Sequence, residues 1–170
     1  MAEITSVLDE TLDAWWDVRN GLINEVQNIP PADFDFRPTP EVRSVRELVQ
    51  HILEVAMMMT GELTRPDTNF RRAPWPKLLR MYAGAAYEAN NKRELLGLLK
   101  SQMKDADRKF REAGELTLFQ FITRFDGERG TKLAWLHHGI AQEMYHRGQI
   151  TVYERLLGLE PALTRQIRGG

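Results

Sequence analysis

The chain contains no cysteine. This absence excludes disulfide bonds, zinc sites built on thiolates and a cysteine nucleophile, and it is typical of proteins from a reducing compartment. No apolar run approaches the roughly 18 residues that a membrane-spanning helix requires. The first residues lack a basic segment followed by an apolar one, so we expect no signal peptide. Together these absences predict a soluble cytoplasmic protein that does not bind a membrane.

An excess of charge of one sign is also missing. Lysine and arginine number 23 against 24 aspartates and glutamates, for a formal net charge of −1. Such a balance argues against nucleic acid as a partner. The sequence also has no Gly-rich phosphate loop, no Ser/His/Asp arrangement and no dinucleotide-binding fingerprint, which removes several common classes of enzyme.

The length of 170 residues is enough for one domain with a substantial hydrophobic core. We assign this domain to residues 1–163 and predict that residues 164–170 form a disordered tail. No alternating apolar pattern is long enough to build a sheet. The fold class is therefore predicted to be all-α.

Apolar side chains recur at spacings of three and four residues in four long segments, as expected of amphipathic helices. The first segment ends at Pro30, and the second begins at a capping signal on Ser44. The third ends near Gly114 and the last near Gly158, a residue suited to a helix C-terminus. This pattern predicts a four-helix bundle.

The stretch between the second and third long helices is long and irregular. Residues 63–76 contain three prolines, and residues 76–87 are predicted to form one further helical piece. Residues 117–125, before the last helix, are predicted to form a short helix or a turn. The bundle is thus expected to have an elaborated connection between its second and third long helices.

Two adjacent tryptophans bear on the oligomeric state. Trp15 and Trp16 cannot both face one helical core, so one is expected to contact a partner subunit or the loop after Gly61. The run Met57–Met59 is typical of adaptable packing in a core or an interface. We therefore expect a homodimer.

The histidines are the candidates for chemistry. His51 lies on the apolar stripe of the second helix, and His138, Gln142 and His146 share one face of the last helix at intervals of four residues. Two inward-facing histidines on different helices can meet in a bundle and bind a metal ion. The alternative is that each is simply a buried histidine with a hydrogen-bond partner, and that Gln142 holds a metal-free site together.

The segment from Gln142 to His146 reads Q-E-x-x-H, one residue different from the zinc motif H-E-x-x-H. A site of His51, Gln142 and His146 would leave coordination positions open, as catalytic ions require, although an amide oxygen is a weaker ligand than imidazole. Glu143 is a candidate general base by its place in the motif. A structural role for Glu143 is the favoured interpretation.

Two segments of the chain have a distinctive order of residues. The first is Phe36-Arg37-Pro38 followed by Ser44-Val45-Arg46-Glu47-Leu48 and His51-Ile52, and the second is His146-Arg147-Gly148-Gln149-Ile150 with Tyr153, Gly158 and Pro161 beyond it. Both segments resemble the DinB/YfiT-like superfamily, and the resemblance extends in order and spacing over about residues 5–162.

The resemblance implies a four-helix bundle, commonly a homodimer, in which three histidines hold a divalent ion. His51 matches the ligand from the second helix, and His146 matches the last ligand. Gln142 occupies the middle position, where the family usually has histidine. His138, one turn earlier, is an outside candidate ligand. The expected ion is nickel or zinc, bound weakly or not at all.

Characterised members of the superfamily include thiol-dependent transferases. The resemblance therefore implies a divalent-metal-binding protein, a metal-dependent transferase or hydrolase that acts on a small electrophilic substrate with a thiol or water nucleophile. The alternative is a metal-free binding or dimerisation module with a degenerate metal site at Gln142.

Overall fold

The computed structural model describes residues 5–169, in which four long helices pack into a bundle. These are α1 (Val7–Asn28), α2 (Val45–Leu63), α5 (Lys92–Ala113) and α7 (Lys132–Leu156). Both α1 and α2 contact both α5 and α7, so all four contribute to the core. The predicted all-α four-helix bundle is confirmed. Within the described part of the chain, no helix combines the length and the apolar character needed to cross a bilayer.

Each long helix begins at a side chain that caps its first turn. Ser6, Asn91 and Thr131 accept hydrogen bonds from backbone N–H groups three residues on. Ser44 does the same for α2, and its own N–H donates to Glu47 Oε2 at 2.8 Å, which completes a capping box. These bonds satisfy donors that have no partner inside the helix, so the helices begin at these residues.

The core contains charged groups as well as apolar ones. Arg19 on α1 pairs with Glu143 on α7, with Nε 2.5 Å from Oε1. Trp15 Nε1 also donates to Glu143, at 3.0 Å, and Arg19 donates to Gln102 Oε1 at 2.6 Å. Buried charges need such partners to offset their lost hydration. The surrounding apolar side chains include Leu12, Leu22, Ile52, Leu53, Met103 and Ile150.

The connection between α2 and α5 carries two short helices, α3 (Trp75–Tyr82) and α4 (Gly84–Glu88). The sequence pattern predicts a single helical piece there. The Tyr82 ring packs against Gly61 of α2 so closely that a Cβ at Gly61 would collide with it. The Tyr82 hydroxyl also donates to Glu62. Tyr82 thereby anchors the elaborated connection to α2.

The stretch before the last helix differs from the prediction of a short helix or turn. After α6 (Glu115–Leu118), strands β1 (Phe121–Thr123) and β2 (Arg129–Thr131) pair in antiparallel fashion. Strands of three residues are too short to produce a recognisable alternation. The turn between them contains Gly127 at φ 92°, a backbone conformation that favours glycine.

The C-terminal segment also differs from its prediction. Residues 164–170 are predicted to be a disordered tail, but α8 (Ala162–Arg168) continues the structure, and Gly170 lies outside the described residues. The carboxylate of Glu25 accepts hydrogen bonds from the first two N–H groups of α8, at 2.6 and 3.3 Å. Arg165 donates to Asn28 Oδ1 at 2.6 Å. The acceptors of these bonds lie on α1, so no local pattern predicts them.

Both adjacent tryptophans find partners inside the chain. Trp15 is buried in the core, and Trp16 is half-buried with its Nε1 3.3 Å from Asp107 Oδ1 on α5. Neither indole N–H is directed to the loop after Gly61, because both donate to carboxylates within the bundle. The homodimer stays a prediction.

Candidate functional site

His51 and His146 lie side by side where α2 packs against α7. Their ring centroids are 4.9 Å apart, and the ring planes meet at 82°. His51 lies one residue before the buried Ile52, and His146 lies one turn before the buried Ile150. His146 is itself buried and His51 half-buried. Helix packing thus brings together two histidines that are far apart in the sequence.

The hydrogen bonds of the two rings define their tautomers. His51 Nδ1 lies 2.5 Å from Glu54 Oε1, and His146 Nδ1 lies 2.7 Å from Gln149 Oε1. A carboxylate and an amide oxygen can only accept, so each Nδ1 carries the hydrogen. Each neutral imidazole therefore has its lone pair on Nε2. This is the form that binds metal ions, with the second ring nitrogen held by an acceptor.

The electrostatic surroundings favour that neutral form for His146. Burial lowers the pKa of His146, and the nearby His51 and Arg43 lower it further. The hydrogen bond to Gln149 raises this pKa but does not outweigh the other effects. Burial alone would raise the pKa of Glu54, but hydrogen bonds from His51 and Tyr87 outweigh it and lower that pKa. Glu54 is thus an ionised acceptor that orients the His51 ring.

A cleft of about 440 Å³ opens beside His51. Its wall is mostly apolar and aromatic, with a few polar groups from α2 and α7. The lining residues are His51, Val55, Met59, Trp75, Phe125, Trp135, His138, Gly139 and Gln142. Such a cavity has the size and character of a small-molecule site.

Gln142 lies in this wall, one helical turn before His146. Its Nε2 is buried and has no hydrogen-bond partner among residues 5–169. Buried amide groups are nearly always satisfied, so an orphaned donor at a cleft points to a group that the protein itself does not supply.

Glu143 does not face this cleft. Its carboxylate lies in the core, bonded to Arg19 and Trp15, and the residue is 1 % exposed. The assignment of Glu143 as a candidate base is corrected, because both oxygens are occupied by donors from α1. The structural role favoured from the sequence agrees with this position.

The other two histidines of the last helix differ in position. His138 lines the cleft, and its ring stacks on Trp135 with centroids 4.7 Å apart and planes at 16°. His137 is exposed. His138 therefore belongs to the wall of the cleft, one turn from Gln142.

The residues that orient the imidazoles are not among those predicted from the sequence. Glu54 and Gln149 each follow their histidine by three residues, so the rule that residues three apart are neighbours on a helix could have found both. Tyr87, which donates to Glu54, comes from α4. No signal around His51 identifies Tyr87, because only tertiary structure brings α4 to α2.

The chemistry of the donor set decides whether a divalent ion fits. Two imidazoles with available Nε2 lone pairs suit nickel or zinc, and the Gln142 amide oxygen could supply a third, weaker ligand. Among residues 5–169, no group of three or more His, Cys, Asp or Glu side chains could hold an ion. The donors that this site offers to an ion are therefore two imidazoles and one amide oxygen.

The architecture and the paired histidines define a class, the four-helix bundles with histidines on facing helices. The DinB family model matches residues 1–168, and the chain belongs to the DinB family. No curated protein sequence matches this chain.

Solved structures with the same fold include two from Bacillus subtilis. YfiT, described as a probable metal-dependent hydrolase with an unusual four-helix bundle topology, has a TM-score of 0.71 at 17% identity, with 94% of this chain and 93% of YfiT covered. The DinB-like protein YjoA has a TM-score of 0.66 at 20% identity, with 88% and 92% covered.

A third similar structure belongs to a larger protein. The mycothiol-dependent maleylpyruvate isomerase has a TM-score of 0.67 at 15% identity, with 85% of this chain and 61% of the isomerase covered. At these identities the structural likeness shows the fold.

Proposed function

We propose that this protein binds a divalent metal ion, nickel or zinc, through His51, His146 and the amide oxygen of Gln142. We further propose that it acts as a metal-dependent transferase or hydrolase on a small electrophile, with a thiol or water as nucleophile. One observation carries the proposal: the two imidazoles are 4.9 Å apart, and each has its Nδ1 bound to an acceptor. Two imidazoles whose Nδ1 atoms are held by acceptors leave their Nε2 atoms to bind a shared ion.

Each residue of the site has a defined part in this function. Glu54 and Gln149 orient the two imidazoles, and the apolar wall of the cleft offers a contact surface for the substrate. A bound divalent ion would lower the pKa of a water or thiol nucleophile. Similar structures support the proposed type of reaction, since YfiT is described as a probable metal-dependent hydrolase and the isomerase as mycothiol-dependent.

The second candidate is a metal-free binding module, and the amide at position 142 is the observation that supports it. Gln142 contributes a neutral amide at the position where the family usually has histidine, and its Nε2 has no partner in the described residues. In this alternative the site is a polar corner of an apolar cleft, and it binds a ligand without an ion.

Metal content separates the two candidates. Protein purified without an affinity tag is analysed by plasma mass spectrometry, before and after incubation with nickel or zinc. We expect about one ion per chain for the native protein and a clear loss in His51→Ala. The matched control is His137→Ala, which removes an exposed histidine from α7 and should leave the content unchanged. No metal in the native protein after incubation would refute the metal site and leave the binding module.

The variant Gln142→His tests whether the amide weakens the site. An imidazole is a stronger ligand than an amide for these ions, so metal affinity should rise at least tenfold, an order-of-magnitude expectation. The readout is competition with a chromophoric chelator. An unchanged affinity would show that position 142 does not contact the ion.

A further inference from the structure

A second cleft, of about 700 Å³, opens between α1, α7 and α8. Among the described residues, it shares no lining residue with the cleft beside His51. Its wall on α1 includes Asp17 and Gly21, which lie one helical turn apart, and its wall on α7 includes the neighbours Arg147 and Gly148. This cleft has the size of a small-molecule site, and it contains charged groups.

Arg147 presents a guanidinium group to this cleft. Its side chain is only 10 % exposed, and the guanidinium occupies the place where a Cβ at Gly21 would lie. Within residues 5–169, its side chain makes one hydrogen bond, from Nη2 to Glu25 Oε1 at 3.5 Å, which is long for such a bond. Nε and Nη1 have no partner there. No atom of Arg147 is among the buried side-chain atoms that lack a partner, so these two nitrogens are open to the cleft.

Glu25 does not fill the hydrogen-bonding capacity of Arg147, because its carboxylate is bonded to α8. Glu25 Oε2 accepts from the N–H of Ala162 at 2.6 Å, and Oε1 accepts from the N–H of Leu163 at 3.3 Å. A guanidinium offers five N–H donors, and a carboxylate is the partner that can accept from more than one of them. Arg147 therefore suits a carboxylate that a ligand supplies.

The charges in the cleft indicate that the ligand also carries a positive group. Of the described residues that line it, Asp17, Glu25 and Arg147 are charged, so a ligand with only a carboxylate would add to an excess of negative charge. Asp17 is exposed, and no ion pair engages it in the described part of the chain. It lies one turn before Gly21, so its Cβ is about 5–6 Å from the guanidinium that occupies the Cβ position of Gly21. Asp17 can thus accept from an ammonium group that lies next to a carboxylate on Arg147.

The remaining wall offers apolar contacts. Met144 on α7 and Leu163 on α8 line the cleft, and both side chains are exposed. Gly148 lies one turn after Met144, and a Cβ there would meet nothing within 4 Å, so the space beside the two apolar side chains is open. An apolar group of a ligand would cover Met144 and Leu163 and remove their surface from water.

We propose that this cleft binds an α-amino acid with an apolar side chain. Its carboxylate accepts from the free N–H groups of Arg147, its ammonium group donates to Asp17, and its side chain packs against Met144 and Leu163. The two charged groups of an α-amino acid flank a single carbon atom, which matches the short separation of Asp17 and the guanidinium. The site is additional to the metal site and does not depend on the proposed function.

The test compares L-leucine with two analogues that each lack one charged group, 4-methylpentanoate and 3-methylbutylamine. The full-length protein is first treated with EDTA, because leucine can itself bind a metal ion, and the backbone amide resonance of Gly148 is followed by NMR. We expect saturable movement of this resonance with L-leucine. The amine should bind at least tenfold more weakly because it has no group for Arg147, and the carboxylate about fivefold more weakly because its missing partner, Asp17, is exposed. Equal affinity for all three compounds, or no saturable movement with L-leucine, would overturn the inference.

The variant Asp17→Asn tests the contact to the ammonium group. It should weaken the binding of L-leucine about fivefold and leave that of 4-methylpentanoate unchanged, since this analogue has no ammonium group. The matched control is Asp13→Asn, one turn earlier on α1, where the exposed carboxylate does not line the cleft. It should bind L-leucine as the native protein does. An equal loss in both variants, or native affinity in Asp17→Asn, would contradict the assignment of Asp17.

The variant Gly148→Met tests the position of the ligand by filling part of the cleft. It should weaken the binding of L-leucine at least tenfold, and the fold should persist because nothing in the protein lies within 4 Å of the new Cβ. The control is Gly97→Met on α5, where a Cβ is equally free of neighbours, and it should keep native affinity. Circular dichroism shows that both variants are folded. Native affinity in folded Gly148→Met would refute this cleft as the amino acid site.

Discussion

The guanidinium of Arg147 on α7 occupies the space beside Gly21 on α1, where any Cβ would collide with it. Arg147 is buried, and its Nη2 lies 3.5 Å from Glu25 Oε1, one turn further along α1. The Arg147 side chain therefore reaches from α7 to Glu25 on α1 by passing over Gly21, which has no side chain. A side chain at position 21 would displace the arginine from its partner.

Replacing Gly21 with alanine should therefore destabilise the bundle. We expect a decrease of about 1 kcal/mol in the free energy of unfolding, because the methyl group moves the end of the Arg147 side chain away from Glu25, while the higher helix propensity of alanine offsets part of this cost. The control is Gly97→Ala on α5, where a Cβ meets nothing within 4 Å. It should raise stability by about 0.4–1 kcal/mol, since alanine reduces the entropy of the unfolded chain. Urea denaturation followed by circular dichroism measures both, and equal stability of Gly21→Ala and the native protein would contradict the prediction.

The Arg19–Glu143 pair supports a second prediction, on stability rather than chemistry. Glu143→Gln keeps the shape of the side chain but leaves the Arg19 guanidinium buried without an opposite charge, so unfolding should become easier by about 3 kcal/mol. Metal content should not change, because Glu143 faces the core.

An exposed ion pair provides the comparison for Glu143→Gln. Asp105 pairs with Arg108 and Lys109 on the surface of α5, and Asp105→Asn should cost less than about 1 kcal/mol. Urea denaturation gives both values. A loss of metal in Glu143→Gln without a loss of stability would show that Glu143 contributes to the metal site.

Glu54 should affect metal binding through its hydrogen bond to His51. Glu54→Ala removes the acceptor that fixes the tautomer and orientation of the ring. Affinity for nickel or zinc should fall about 10- to 100-fold, as is usual when such an orienting partner is lost. Tyr87→Phe, which removes one donor to Glu54 and leaves the bond to His51, should have a smaller effect. Competition with a chelator measures the metal affinity of both variants. An unchanged affinity in Glu54→Ala would exclude the orienting role of Glu54.

Glu154 should make stability depend on pH. Burial, with a contribution from the neighbouring Glu25, raises the pKa of Glu154 from 4.5 to about 7. Between these two values the native state binds more protons than the unfolded state, so the free energy of unfolding falls as pH rises through this window.

The variant Glu154→Gln removes this proton linkage. At about pH 8.5 it should be more stable than the native protein by on the order of 2 kcal/mol, and at about pH 4.5 the two should differ little. Denaturation at several pH values gives the comparison. Parallel stability profiles for the two proteins would show that Glu154 ionises normally in the fold.

The four long helices follow from short-range features of the sequence. The apolar spacing, the capping box at Ser44 and Glu47, and the stop at Pro30 all act within one or two turns, so the chain carries these signals locally. The hairpin leaves no such signal because its strands are very short, and α8 leaves none because its stabilising partner, Glu25, lies on a distant helix.

Some features of the candidate site also follow from local sequence, and others depend on tertiary packing. The sequence by itself determined that His51 lies on an apolar stripe and that Gln142 and His146 share a helix face, since helical periodicity sets those positions. Tertiary structure alone decided the 4.9 Å approach of the two rings, the aromatic cleft beside His51 and the burial of Glu143 against Arg19. Each of these depends on how α1, α2 and α7 pack, and packing between distant segments leaves no periodic signal in the chain.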